Sequence, residues 1–213
     1  MSDARPAEHF ATLDQQEEVA RLGMWVFLAT EVLFFGGLFL AYAIYRARYP
    51  EAFAAAGEHT KIVIGTINTA ILLTSSFIMA LGVHAAEADK RRPLAICLLT
   101  TALLGVAFLV LKGFEYVGEY HEHLVPGLNF IFAGREASAA ELFFLLYFIM
   151  TGLHALHMAI GVSLLLLFAW RARRGDFSGE GRHMPVTVLG LYWHFVDLVW
   201  VFLFPLLYLN GRA

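Results

Sequence analysis

Residues 190–211 read GLYWHFVDLVWVFLFPLLYLNG, and the fold turns on how this stretch is read. It is long enough to cross the hydrocarbon of a bilayer, which takes roughly 20 mostly apolar residues in helical form. A strand in a soluble protein is seldom so long. In lipid a spanning backbone must satisfy its own hydrogen bonds, and a helix does so within one segment. The stretch is therefore read as a membrane helix from about Val186 to Leu209. Two ionisable side chains, His194 and Asp197, interrupt it three residues apart. Ionisable groups inside a membrane are costly and turn toward the interior of a bundle.

Four more runs of the same kind lie upstream. The first extends from about Leu22 to Tyr45 and the second from about Ile62 to Ala86. The third starts just after Pro93 and covers residues 94–117. The fourth extends from about Leu142 to Trp170. The period-two alternation of a membrane β-barrel is absent. The expected architecture is all-α, with five transmembrane helices in one bundle over residues 21–213 and a polar tail over residues 1–20.

Composition agrees. Of the 213 residues, 59% are apolar and 15% charged, with mean hydropathy +0.65. A soluble domain carries about a quarter charged residues. The net charge of −3 gives no reason to expect a nucleic-acid partner. One cysteine, Cys97, excludes an internal disulfide and a thiolate metal cluster. The N-terminal tail holds Asp3, Glu8, Asp14, Glu17 and Glu18 against Arg5, which is unlike the basic start of a secretory signal.

Loop charges set the expected orientation. One side collects Arg5, Arg21, Lys90, Arg91, Arg92, Arg171, Arg173, Arg174 and Arg182. The other collects Arg46, Arg48, Lys61, Arg135 and Arg212. Nine against five places the N-terminus inside and the C-terminus outside. The longest loop, roughly Gly118 to Ala140, is then expected outside. Glycines within the spans, among them Gly105 and Gly161, suit close helix packing.

Five polar groups within the spans need a reason. Glu31 sits mid-span in MWVFLATEVLFFGG (24–37). It reads either as a neutral acid bonded to a neighbouring helix or as a proton carrier. Asn68 and Thr69, in GTINTAILLTSS (65–76), read as hydrogen-bonding glue between helices. Lys112, Glu115 and Tyr116 close the third span in LKGFEYVGEYHEH (111–123). Lys112 and Glu115 share a face and can pair, which reads as a snorkelling, self-neutralising helix end. His154 and His157, in FIMTGLHALHMAIG (148–161), lie on one face and are able to ligate a metal or to hydrogen-bond to Glu31 or to backbone carbonyls. His84 and His194 are candidate opposite ligands for a haem. In the last span Trp193, Asp197 and Trp200 share a face, and His194 is the expected partner of Asp197.

Taken in order, these segments resemble one family, subunit III of the haem-copper oxidases. LGMWVFLATEVLFFGGLF (22–39) resembles the family's first shared helix, with its membrane glutamate at Glu31. INTAILLTSS (67–76) resembles the next, and Phe114 to Tyr116 the Glu-Tyr helix end. TGLHALHMAIG (151–161) matches the two-histidine pattern. YWHFVDLVWVFLFPLLY (192–208) matches the closing helix and is the most specific of the five. The start of the chain is similar to the five-helix bacterial form, whereas many members have seven helices. The family often has Gln where Lys112 stands.

The resemblance implies an accessory, cofactor-free subunit in a bacterial plasma membrane. Haem and copper would belong to subunits I and II. The chain would pack on subunit I, bind phospholipid in a cleft, and support proton uptake and enzyme lifetime. His154 and His157 would then be structural. The cytochrome c oxidase type is expected. Alternatives are a quinol oxidase, a nitric oxide reductase system, and a b-haem electron carrier using His84, His154, His157 or His194.

Overall fold

The computed structural model describes residues 12–132, 137–177, 179 and 182–209. Six helices cover them: α1 (Leu13–Arg48), α2 (Pro50–Glu58), α3 (Ile62–Glu87), α4 (Arg91–His121), α5 (Ala137–Arg174) and α6 (Met184–Tyr208). All but α2 are long and apolar enough to cross a membrane, and no strand occurs among the described residues. Arg5, Arg135 and Arg212, which entered the loop-charge count, lie outside the described residues. So do residues 1–11 of the polar tail.

The helices run further than the apolar runs that announce them. α1 begins at Leu13 rather than near Leu22. Thr12 caps it, its hydroxyl accepting from the Gln15 amide at 3.2 Å. Thr and Gln three apart form the sequence pattern of a capping box, so the acidic segment ahead of Arg21 is helical from that cap onward. At 1.5 Å per residue α1 is about 54 Å long, beyond the roughly 30 Å of bilayer hydrocarbon.

The ends of α3, α4 and α5 share one geometry. In α3, Asp89 adopts φ 53°, its amide bonds to Ala86 O and the Lys90 amide bonds to Ala85 O. In α4, His123 adopts φ 58°, its amide bonds to Tyr120 O and the Leu124 amide to Glu119 O. In α5, Gly175 adopts φ 85°, with bonds from Gly175 to Ala172 O and from Asp176 to Arg171 O. Each is a Schellman closure, which satisfies carbonyls left over at a helix end. Its position sets α4 to end at His121 and shortens the long loop expected from Gly118.

The sequence reading missed α2. Tyr49 precedes Pro50, and a residue before proline is pushed out of the helical region. Its φ of −131° ends α1, and Pro50 starts α2 at once. α2 turns Ala52, Phe53 and Ala56 inward and packs on α5 and α6.

The bundle is organised around α6, which contacts α1, α2, α3 and α5 and buries about half of its residues. α4 packs between α3 and α5. α1 is the most exposed span and meets the bundle through a seam of Met24, Leu28, Phe35 and Tyr42. The last turn of α6 is closed by other elements. Tyr42 Oη donates to Leu206 O at 2.6 Å, and Thr60 Oγ1 lies 3.5 Å from Leu207 O.

Close packing onto α6 depends on small residues opposite its indoles. A Cβ at Gly105 would lie 2.7 Å from both the Trp193 ring and Val162, and one at Gly161 3.0 Å from the same ring. Gly37 has nothing within 4 Å. Gly105→Ala is expected to destabilise the protein by about 1–3 kcal/mol through overpacking. Gly37→Ala is expected to leave the thermal midpoint unchanged or raise it, since Ala is the better helix former. Thermal unfolding in detergent reads both.

Candidate functional site

Three polar seams run through the bundle, and every one involves α5 or α6. Between α3 and α6, Trp200 Nε1 donates to Thr69 Oγ1 at 3.0 Å, and Trp193 Nε1 to Ser75 Oγ at 3.1 Å. His194 Nδ1 lies 2.6 Å from Ser76 Oγ. Asp197 also bonds to Ser76, while its Oδ1 has no partner. The expected His194–Asp197 pair is therefore replaced by a serine from α3 that serves both. Two side chains three apart on a helix diverge enough for a residue of the facing helix to enter between them. Asn68 is fully buried on the same helix, but neither amide atom has a hydrogen-bond partner. The expectation of glue holds for Thr69 and not for Asn68.

The second seam joins α1 to α5. His157 Nε2 lies 3.2 Å from Glu31 Oε2, within ion-pair distance, although the oxygen is off the hydrogen-bond axis. The other ring nitrogen, Nδ1, bonds to Leu153 O at 2.8 Å and so carries a hydrogen. Nε2 then presents a lone pair to Glu31 unless the ring is an imidazolium. A stable contact needs one proton between the two groups. Tyr192 Oη donates to His157 O at 2.9 Å, and the Phe35 ring meets the imidazole edge-on.

His154 does not share that direction. It is buried between Phe108 and Trp200, ring centroids 5.5 and 5.3 Å away, and neither nitrogen has a hydrogen-bond partner. Spacing suggested two imidazoles facing one way; the structure sends one to α1 and the other into the core. His84, at the end of α3, is 79% exposed beside Glu87. Among the described residues, no three potential metal-binding side chains come together.

The third seam is the most highly charged. Lys112 is 2% and Glu115 0% exposed. The ammonium donates to Glu115 Oε2 at 3.0 Å, to Tyr147 Oη at 2.8 Å and to Tyr208 Oη. It also sits 4.6–5.6 Å from the ring centroids of Tyr116, Tyr147, Trp200 and Tyr208. Cation–π attraction of this kind strengthens when water is excluded. Tyr116 Oη bonds to Thr151 Oγ1 at 2.6 Å. The expected Lys112–Glu115 pair is present, but it does not snorkel to the interface. It is enclosed by aromatic rings from α4, α5 and α6.

Sequence reasoning passed over Glu119, Tyr147, Tyr208, Ser75, Ser76 and Thr151. Glu119 is i+7 from Lys112 and i+4 from Glu115, a spacing that marks one helix face. It was hidden because α4 was expected to stop two residues earlier. The hydroxyl partners carry no spacing signal, since serine, threonine and tyrosine are ordinary at packed membrane interfaces.

Five helices long and apolar enough to cross a membrane, with buried polar seams between them, define a multi-pass integral membrane protein. The profile of cytochrome c oxidase subunit III matches residues 9–212. The cytochrome c oxidase subunit 3 of Thermostichus vulcanus is 36% identical over 191 residues, covering 90% of this chain and 87% of that protein. The quinol oxidase subunit 3 of Bacillus spizizenii is 27% identical over 99% of this chain and 98% of its own length. The haem-copper oxidase subunit I+III of Aeropyrum pernix is 32% identical over 89% of this chain, which corresponds to 22% of that longer protein. The chain belongs to the cytochrome c oxidase subunit III family.

The Trp200–Thr69 bond ties the centre of α6 to α3. Thr69→Val removes the acceptor and leaves a buried indole N–H unpaired. A loss of about 1–3 kcal/mol is expected, read as a lowered unfolding midpoint in detergent. Thr69→Ser is expected to restore most of it.

Proposed function

We propose that this chain is the accessory third subunit of a proton-pumping, oxygen-reducing haem-copper oxidase of the cytochrome c oxidase type. It would lie in a bacterial plasma membrane. The observation that carries the reading is the family match across residues 9–212, joined to motifs that lie in the same order along the helices. The cytochrome c type is favoured by the 36% identity to such a subunit, against 27% to a quinol oxidase subunit. The near-complete coverage of the quinol oxidase relative supports the second reading, a quinol-fed complex.

In this reading the chain holds no redox centre. Haem and copper sit in subunits I and II, and this chain stabilises subunit I and supports proton uptake. Binding that favours a folded partner stabilises it by mass action. The subunit I+III relative, one polypeptide in Aeropyrum pernix, supports placing this chain beside subunit I. Exposed apolar residues on α1 and α4, such as Trp25, Leu33, Leu103 and Phe114, suit contact with subunit I and with phospholipid. The N-terminus is assigned inside. Among the described residues that side carries Arg21, Lys90, Arg91, Arg92, Arg171, Arg173, Arg174 and Arg182, against Arg46, Arg48 and Lys61 opposite.

Gentle solubilisation and capture through a C-terminal tag tests the assignment. A reduced-minus-oxidised haem spectrum should travel with the chain and a many-helix partner, and be lost when the two are separated. A haem retained by this chain alone would overturn the reading and make the membrane histidines ligands. The haem type and any copper-bearing partner then distinguish the cytochrome c from the quinol form.

Glu31 is assigned a structural role through His157. Glu31→Gln keeps a polar group facing the imidazole and is expected to preserve assembly and proton pumping. Glu31→Ala is expected to cost about 1–3 kcal/mol, because it removes the one polar side chain that faces His157 Nε2 across the α1–α5 seam. Protons pumped per electron, with the unfolding midpoint of the complex, separate the roles. A Gln variant that assembles normally but pumps less would assign proton transfer to Glu31.

A further inference from the structure

The cluster at the end of α4 holds more acid than base. Lys112, Glu115 and Glu119 lie on one face of the helix, and Glu119 is only 1% exposed. Around Glu119 stand Lys112, Glu115 and Tyr116 of α4, Tyr147 of α5, Tyr208 of α6, and Lys61 just ahead of α3. His154 of α5 also lies close enough to Lys112 to feel its charge.

An ammonium has three N–H donors. Those of Lys112 are taken by Glu115, Tyr147 and Tyr208. None remains for Glu119, whose one hydrogen-bonding neighbour is the Tyr147 hydroxyl, a neutral group. The other nearby cation, Lys61, pairs with Glu122 at 3.2 Å at the exposed end of the helix. Lys112 and Glu115 already cancel each other's charge. An ionised Glu119 would be a second buried carboxylate with no cation of its own, an arrangement that burial penalises strongly. A neutral carboxylic acid carries no such penalty.

We propose that Lys112, Glu115 and Glu119 form a one-proton binding site, in which Glu119 holds a proton that exchanges with water at the Lys61–Glu122 end of α4. On release the Glu119 O–H bond breaks, its electron pair stays on the carboxylate, and the proton passes to water beside Glu122. The remaining carboxylate then competes with Glu115 for the Lys112 ammonium. The proton count follows from charge: two carboxyls facing one ammonium retain one proton. The site consists of this chain's own residues and does not depend on the electron donor of the complex.

Infrared difference spectroscopy of the intact complex, in H2O and D2O, tests the count through the carbonyl stretch of protonated carboxylic acids. Subtracting Glu119→Gln from the wild type should reveal one such band, shifted in D2O. Subtracting Glu115→Gln should reveal one as well, because the single carboxyl left then ionises against Lys112. Lys112→Gln should gain one band. A wild type with no band attributable to Glu119, a band that does not respond to D2O, or a Glu115→Gln variant that keeps the band would each overturn the proposal. Glu119→Gln is nearly isosteric, so its spectrum decides the matter even if another variant fails to assemble.

Discussion

A helix enclosed by protein within lipid has no water to solvate its polar groups, and α6 is under that constraint. Its two indoles, His194, Asp197 and Tyr208 have to find partners on neighbouring helices. They find them at Ser75, Thr69, Ser76 and Lys112. Each partner sits at a fixed height on α3 or α4, so the bonds set the vertical register of those helices against α6. Apolar packing supplies area but little register, because lipid tails offer the same contacts. Glycines at 105 and 161 then let α4 and α5 close on the Trp193 ring.

The five spans were legible because a run of some 20 apolar residues has few readings other than a membrane helix. The helix ends were not. They depend on capping and on residues with positive φ, and Asp89 and His123 are not residue types that announce such a position as glycine does. That single difficulty hid Glu119, which falls in what read as a loop. α2 was hidden for another reason: nine residues rich in alanine resemble a linker until they have a surface to pack on.

Within the site, residues joined along one helix were easier to read than residues joined across helices. Lys112 and Glu115 were paired from spacing, and the pair is there. His194 and Asp197 have the same spacing, yet Ser76 stands between them. A same-face rule says which side chains are near each other. It does not say what the facing helix offers. His154 and His157 show this too, since Glu31 on α1 faces one and the rings of Phe108 and Trp200 flank the other.

The contact between Glu31 and His157 joins the first span to the fifth helix in chain order. A ribosome makes α1 long before α5, so during synthesis Glu31 sits in the newly inserted helix with its eventual partner not yet translated. An acidic residue near the middle of a lone span opposes insertion by a few kcal/mol, which a long apolar surround offsets. α1 supplies that surround, with Leu28, Val32, Leu33, Phe34 and Phe35 on either side of the acid. Biogenesis therefore has an order: α1 must enter the membrane on its own hydrophobicity, and its lasting position is settled only when α5 and α6 arrive.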